Sequence, residues 1–201
     1  HGDEKGLTLP WEVAPTQMVI VPILLGDKEK VLAVCSDLKA ALSAARIRVE
    51  LDTSDERPGA KFYKWEMKGV PVRLEVGPRD IEKGVVTLAR RDGVKKAVPM
   101  EGLVEAILRE GQELQATLTA RSRLFHEGMV KEAASISEAK AQTQAGVALV
   151  PWCGEVDCGH QLEDQVEANM LGEPQYQSFP EAACAVCGKK SPGRTYMARQ
   201  Y

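Results

Sequence analysis

The stretch YKWEMKGVPVRLEVGPRD, Tyr63 to Asp80, divides at Gly69 into a helical half and an extended half. Residues 61–68 are predicted to form a short helix that ends at this glycine. In residues 70–76, VPVRLEV, apolar and charged side chains alternate, which predicts a half-buried strand with Arg73 and Glu75 on its polar face. The expected apolar face consists of Val70, Val72, Leu74 and Val76.

The segments before this stretch predict more of the same sheet. The apolar run MVIVPILL, residues 18–25, is short and uninterrupted, as in a strand buried on both faces, and its Pro22 suits a sheet edge or a bulge. Asp27 is positioned to cap a following helix. The apolar positions of that helix, which repeat at helical spacing, are Val31, Leu32, Cys35, Leu38 and Leu42.

Further strands are predicted at residues 47–52, 84–90 and 95–100, the last two joined by a turn at 91–93. Strands and helices in this order indicate an α/β fold, with a mixed sheet and helices packed on it. Residues 100–141 then carry a helical apolar stripe that predicts one or two long helices joining two domains. Possible breaks are marked by Gly111, Gly128 and Gly146, and residues 146–152 are predicted to form a new strand.

Composition excludes several classes of protein. The chain has 201 residues, 44% hydrophobic and 27% charged, and no apolar run approaches the roughly 20 residues of a membrane span. We therefore expect a folded protein of two domains that is not in a membrane, and the absence of a secretion signal favours the cytoplasm. The net charge is -3, but residues 55–96 contain eleven Lys and Arg against seven Asp and Glu, so the middle of the chain is locally basic.

Four of the five cysteines form two close pairs near the C-terminus, Cys153-x4-Cys158 and Cys184-x2-Cys187. Thiolates at such spacing complete a tetrahedron around zinc, and four protein ligands leave no open position, so a structural zinc is predicted. Four unrelated thiols or a disulfide are the weaker alternatives.

Two residues near this pattern have simpler interpretations. His160 lies too close to Cys158 in the chain to replace it and is expected on the surface. Cys35 belongs to the buried face of its helix, where a cysteine behaves as a small apolar side chain.

Three segments together carry a family resemblance: HGDEKGLTLPWEVAPTQMVIVPI at the start, DERPGAKFYKWEMKGVPVRLEVGPRD in the middle, and the terminal cysteine region. They resemble the C-terminal part of prolyl-tRNA synthetases of the archaeal and eukaryote-like type, over essentially the whole chain. The resemblance implies the class IIa anticodon-binding fold, a mixed five-stranded sheet with flanking helices, followed by a smaller α+β domain that contains zinc.

The resemblance also implies a division of the chain and a role for its last residue. Residues 1–15 look like the tail of a class II catalytic core, residues 16–112 like the anticodon-binding domain, and residues 113–201 like the C-terminal zinc domain with its linking helix. The terminal carboxylate of Tyr201 would point toward the active site. The motifs that bind ATP with Mg²⁺ and activate proline lie upstream of His1 in the family, so this chain alone is expected to be inactive. Implied partners are tRNA(Pro), the enzyme's own catalytic domain and, in the full-length enzyme, a second subunit.

The family's anticodon contacts fall on Glu66, Arg73 and Lys95, with Lys96 as the alternative to Lys95. The chemistry agrees, because a guanine edge offers two N–H donors and a carbonyl acceptor, which a carboxylate and a cation satisfy together. Further RNA contacts are predicted at Lys64, Arg79 and Tyr63.

Other interpretations of the same residues stay open from the sequence alone. Of the aromatic residues Phe62, Tyr63 and Trp65, at most one is expected to stack on a base, since Phe62 and Trp65 have core spacing. Glu66 at a solvated helix position, and Arg73 in an ion pair with Glu66 or Glu75, are the structural alternatives. For the chain as a whole, the rival hypothesis is a zinc-containing protein-interaction or scaffold module without RNA affinity. The excess acidity of Glu101, Glu105, Glu110 and Glu113 would suit such a module.

Overall fold

The computed structural model describes residues 2–175 and 177–200. The chain forms two compact units, residues 1–120 and 121–201, and the division falls within one long helix. Among the described residues, no helix is both long and apolar enough to cross a membrane.

The first unit contains seven strands, three complete helices and most of a fourth among the described residues. The strands are β1 (Gly2–Asp3), β2 (Gly6–Leu7), β3 (Met18–Pro22), β4 (Val49–Leu51), β5 (Val72–Val76), β6 (Val85–Arg90) and β7 (Lys95–Pro99). The helices are α1 (Lys28–Ala44), α2 (Pro58–Met67), α3 (Pro78–Glu82) and α4 (Leu103–Met129).

Five of these strands form the predicted mixed sheet, in the order β4-β3-β5-β6-β7. β3 lies parallel to both β4 and β5, while β6 and β7 continue the sheet antiparallel. The α/β class and the mixed five-stranded sheet predicted from the sequence are therefore confirmed. Pro22 is the last residue of β3 and pairs with Val76 of β5. The pairing of β3 with β4 ends at Ile20, so the missing N–H of Pro22 removes no hydrogen bond between those two strands.

The two faces of the sheet bury two apolar clusters. One face packs against α1 and α4, where Met18, Ile20 and Leu74 meet Cys35 and Ile107. The cluster on the other face is built by Val19, Val21 and Val70, with Phe62 and Trp65 of α2 packed against them.

This arrangement corrects two expectations about β5. The strand is central and covered on both faces, so it is not half-buried, and even Glu75 is only 9% exposed. Val70 does not share a face with Val72. It precedes the strand, separated from it by Pro71, and packs in the α2 cluster instead.

Gly111 does not break α4, although the sequence made it a candidate break. The Trp11 ring lies against it, and a Cβ built at residue 111 would be 2.3 Å from that ring. The glycine therefore provides space for a buried tryptophan rather than a helix end.

Within the first unit, the N-terminal residues pack near the C-terminal end of α2. β1 and β2 form a hairpin, and the carboxylate of Asp3 accepts a hydrogen bond of 2.7 Å from Nη1 of Arg91. Nε of Arg91 also donates to the backbone carbonyl of Glu66, at 3.2 Å. The hairpin and α2 thus share one buried guanidinium.

The second unit contains a four-stranded sheet of order β10-β13-β9-β8 and a small separate hairpin. Its strands are β8 (Val130–Glu132), β9 (Val147–Trp152), β10 (Asn169–Gly172), β11 (Ala182–Ala183), β12 (Lys190–Ser191) and β13 (Gly193–Ala198), and its own helices are α5 (Ile136–Gln142) and α6 (Val156–Val166). Of these strands only β9 was predicted. The core of the second unit is formed around Val150, Leu162 and Met197.

Candidate nucleic-acid interface and metal centre

Glu66 and Arg73 come together because the chain reverses tightly between α2 and β5. Gly69 has a φ of +74° and its backbone N–H donates to the carbonyl of Glu66, which closes the helix. A Cβ at Gly69 would lie 2.6 Å from that of Leu7, so the position requires glycine for space as well as for conformation. After this turn, Nη1 of Arg73 donates to Oε1 of Glu66 at 3.0 Å.

Strand register brings Lys95 into the same site. Across β5, β6 and β7, Arg73 pairs with Ala89, and Ala89 pairs with Lys95, so Arg73 and Lys95 lie at one level two strands apart. The carboxylate of Glu75 lies between them, 3.1 Å from Nη2 of Arg73 and 3.0 Å from Nζ of Lys95. We call the continuous chain Glu66, Arg73, Glu75 and Lys95 the charged row.

The charged row is buried in its middle and accessible at its ends. The side chains of Arg73 and Glu75 are each 12% exposed, whereas that of Glu66 is 29% exposed and that of Lys95 is 55% exposed. A ligand arriving from solvent would therefore meet a carboxylate at one end and an ammonium at the other.

Lys96, the sequence alternative to Lys95, lies on the opposite face of the sheet. Its Nζ is 2.6 Å from Oε1 of Glu110, a buried residue of α4. The same carboxylate pairs with Arg90 at 3.1 Å. Glu113 also pairs with Arg90. Two of the four glutamates that suggested an acidic face, Glu110 and Glu113, thus take part in ion pairs within the first unit.

The three aromatic residues of α2 have three different environments. Phe62 is partly buried and lies under the guanidinium of Arg73, whose Cζ is 4.0 Å from the ring centre. The indole N–H of Trp65 donates to Asp52 at 2.6 Å, and its ring packs in the α2 cluster. Tyr63 is 59% exposed. Tyr63 is thus the one of the three with a ring open to stacking.

Lys64 and Arg79, the other predicted RNA contacts, are differently placed. Nζ of Lys64 is 2.8 Å from Asp52 and 2.7 Å from Glu56, and these bonds raise the pKa of the lysine. Arg79 is exposed on the short helix α3, directly after the strand that carries Arg73, and forms none of the ion pairs found in the described part of the chain.

The four predicted cysteines converge in the second unit. The Sγ atoms of Cys153, Cys158, Cys184 and Cys187 all lie within 4.8 Å of one another, and those of Cys153 and Cys187 are 3.8 Å apart. Tetrahedral zinc–thiolate bonds of about 2.3 Å separate the sulfurs by about 3.8 Å, so the cluster fits such an ion. The arrangement brings together ligands from residues 34 positions apart in the chain.

Local backbone structure explains how the second pair of cysteines reaches the cluster. Cys184 and Cys187 lie in the turn between β11 and β12, where Gly188 has a φ of +72° and donates to the carbonyl of Cys184. Burial opposes ionisation of Cys184, but the backbone N–H groups of Cys187 and Val186 lower its pKa to about 7. A thiolate at this position is what a metal requires.

Three further residues were given an interpretation from the sequence. His160 is 72% exposed at its side chain and is not among the four ligands, as expected. Cys35 is fully buried on α1, and burial raises its pKa to about 12. The predicted role of Tyr201 falls on a residue outside the described part of the chain.

Two residues in or near the charged row have contacts that the sequence did not predict in full. Glu75 was considered only as an ion-pair partner, although its alternation with Arg73 already placed both on one face. Arg91 contacts Asp3, 88 residues away in the chain, and no local pattern predicts such a pair.

Comparison with known proteins finds matches for both parts of the chain. Residues 17–110 match the family model of an anticodon binding domain, and residues 136–201 match the model described as the C-terminal region of prolyl-tRNA synthetase. The chain belongs to the prolyl-tRNA synthetase family. The charged row thus lies within the region that matches the anticodon-binding model, and the cysteine cluster within the C-terminal one.

Several archaeal proteins are similar to this chain. A proline–tRNA ligase of Methanothrix thermoacetophila is 59% identical over 202 residues, one of Methanococcoides burtonii is 45% identical over 203, and one of Pyrococcus horikoshii is 42% identical over 209. Each alignment covers 100% of this chain but only 42% to 44% of the relative, namely its C-terminal part. The chain therefore spans less than half the length of the synthetases it matches.

Proposed function

We propose that the charged row reads guanine bases in the anticodon of tRNA(Pro). The observation that carries this proposal is the convergence of Glu66, Arg73 and Lys95 on one face of the sheet, from a helix and two strands. In the described residues, the side-chain partner of Glu66 is Arg73 alone, through one carboxylate oxygen.

The chemistry of a guanine edge suits this arrangement. Glu66 would accept hydrogen bonds from the N1–H and N2–H groups, while Arg73 or Lys95 donates to O6. Tyr63 would stack on a neighbouring base, and Lys64 and Arg79 would contact phosphates. Lys96 is not included, because its ammonium group faces Glu110 on the opposite side of the sheet.

In the whole synthetase, this region would recognise the tRNA while another part performs the reaction. We expect that reaction to be ATP-dependent activation of proline, with Mg²⁺, followed by transfer of the prolyl group to the tRNA. The proposed division is a catalytic-core tail in residues 1–15, an anticodon-binding domain in 16–112 and a zinc domain in 113–201. A catalytic domain and a second subunit are the proposed partners, with the cytoplasm as location and the carboxylate of Tyr201 directed to the active site.

The metal proposed for the cysteine cluster is zinc. Four thiolates would complete its coordination, so it would stabilise the second unit without taking part in the reaction. Support comes from the mutual approach of the four Sγ atoms, which all lie within 4.8 Å of one another.

Binding of tRNA(Pro) transcripts by Glu66→Ala and Lys64→Ala variants tests the base-reading role. Glu66→Ala is expected to lose its preference for the guanine anticodon over one in which the guanines are replaced. Lys64→Ala should instead weaken binding to both transcripts equally and flatten the salt dependence. An unchanged preference in Glu66→Ala would show that Glu66 does not read a base.

The rival function, a protein-interaction module without RNA affinity, makes the opposite prediction for the parent chain. It requires that the chain bind neither transcript at any salt concentration tested. Exposed Leu124 and Phe125 in α4, 68% and 70% accessible, are the surface that such a module would offer to a partner.

A further inference from the structure

The guanidinium of Arg73 donates hydrogen bonds to two carboxylates, those of Glu75 and Glu66. Nε and Nη2 of Arg73 lie 3.3 and 3.1 Å from Oε1 of Glu75, while Nη1 lies 3.0 Å from Oε1 of Glu66. A guanidinium offers its donors in a fixed planar fork, so holding two nitrogens on Glu75 determines where the third points. The Phe62 ring, 4.0 Å from Cζ, supports the guanidinium from the side.

The same carboxylate also holds Lys95. Both oxygens of Glu75 lie within 3.1 Å of Nζ of Lys95, whose side chain is otherwise 55% exposed and long enough to take many conformations. Glu75 itself has little freedom, since it belongs to the central strand of the sheet and is only 9% exposed. One buried carboxylate thus orients both cations of the charged row.

Removal of Glu75 would change what Glu66 can bind. Without it, the one carboxylate left within reach of Arg73 in the charged row is Glu66, and Arg–carboxylate pairs favour two parallel hydrogen bonds. Arg73 would then occupy both oxygens of Glu66, which are the acceptors that a guanine edge needs.

We infer that Glu75 is a positioning residue for guanine recognition: it holds Arg73 and Lys95 so that the carboxylate of Glu66 stays available to the base. This inference rests on the proposed anticodon-reading function and deepens it. Glu75 contacts no base in this scheme and acts through the two cations.

Electrostatics alone predicts a different result for the loss of the Glu75 charge, so the two explanations can be told apart. Glu75→Gln removes one negative charge from a surface that meets a polyanion, so by charge alone it should tighten binding to every tRNA. A positioning role predicts instead that preference for guanine falls, even where affinity for other anticodons is kept or increased.

The experiment measures dissociation constants of the 201-residue chain for two tRNA(Pro) transcripts at one salt concentration. One transcript carries the guanine anticodon, and in the other adenine replaces those guanines. For Glu75→Gln, the ratio of the two constants is expected to shrink by about fivefold or more, in line with the loss of one base-specific pair. Binding to the adenine transcript reports that the variant is folded.

Glu110→Gln is the matched control. Glu110 is also a buried carboxylate between a lysine and an arginine, Lys96 and Arg90, but on the opposite face of the sheet. It should lose a comparable amount of stability while keeping the parent's guanine preference. If Glu75→Gln does not fold, Glu75→Met keeps the volume without the carboxylate and is expected to show the same loss of preference.

The outcomes separate the two proposals. A guanine preference equal to the parent's in a folded Glu75 variant, with the preference lost in Glu66→Ala, overturns the positioning role alone. A parent chain without guanine preference, or a Glu66→Ala variant that keeps it, overturns the anticodon-reading function itself. Equal losses of guanine preference in Glu75→Gln and Glu110→Gln would show that both result from reduced stability, and would likewise reject the positioning role.

Discussion

Lys95 and Lys96 are consecutive in the chain, yet their ammonium groups lie on opposite faces of the five-stranded sheet. Lys95 pairs with Glu75 at 3.0 Å in the charged row, and Lys96 pairs with Glu110 of α4 at 2.6 Å. Side chains of neighbouring residues in a strand point in opposite directions, so only one of the two lysines can belong to the face proposed to bind RNA.

The pair permits a matched comparison. Lys95→Ala is expected to weaken binding of the tRNA(Pro) transcript about fivefold or more and to reduce its guanine preference. Lys96→Ala should leave the preference unchanged and lower the free energy of unfolding, because Glu110 keeps only one of its two cations. The measurements are filter binding and urea denaturation of both variants. Equal binding losses in the two would contradict the assignment of faces.

Gly111 and Gly128 of α4 form a second matched pair. Gly111→Ala is expected to cost about 1–3 kcal/mol of stability, since its Cβ would overlap the buried ring of Trp11. A Cβ added at Gly128 would have no atom within 4 Å, so Gly128→Ala should be neutral or stabilise the helix by up to about 1 kcal/mol. Thermal and urea unfolding measure both. If Gly111→Ala were as stable as Gly128→Ala, the close approach of Trp11 would be wrong.

Metal content is expected to distinguish the four clustered cysteines from the fifth. Cys184→Ser is expected to lose the bound ion and to destabilise the second unit, because metal binding and folding are coupled in such sites. Cys35→Ala, on the buried face of α1, should retain one zinc per chain. Elemental analysis and thermal unfolding with and without a chelator test this. Zinc retained by Cys184→Ser at full stoichiometry would contradict a four-cysteine site.

Asp52 makes the fold sensitive to acid. Burial alone would raise the pKa of this carboxyl, but hydrogen bonds from Lys64, Ser54 and Trp65 hold it well below its usual range. A carboxyl whose pKa is lowered by folding stabilises the protein above the unfolded value of about 3.9, and this contribution is lost as the pH falls through the folded value. Asp52→Asn should therefore be less stable than the parent at pH 7, by about 1–3 kcal/mol, and the difference should narrow toward pH 2.

Urea denaturation across this pH range checks the prediction. The control is Asp55→Asn, an exposed change in the same loop, which should alter stability by less than about 0.5 kcal/mol at pH 7. A difference between parent and Asp52→Asn that stays constant from pH 7 to pH 2 would show that Asp52 is not the titrating group.

Local patterns in the chain were sufficient to predict the class of fold and the cysteines that cluster. Period-two alternation predicted β5, helical spacing predicted α1, and the spacing of Cys153, Cys158, Cys184 and Cys187 predicted a cluster that the fold assembles. These signals are contained in short windows, because backbone geometry repeats over a few residues and each cysteine pair needs only one tight turn.

Relations between distant segments were decided by the tertiary structure. Sequence alternation placed Arg73 and Glu75 together but could not show that Lys95, rather than Lys96, joins them, since that depends on the register of β6 and β7. Nor could it show that Gly111 makes room for Trp11, which lies far earlier in the chain. Both depend on which surfaces meet when the apolar faces are buried, and the free energy of that burial belongs to the assembled sheet and helices rather than to any one segment.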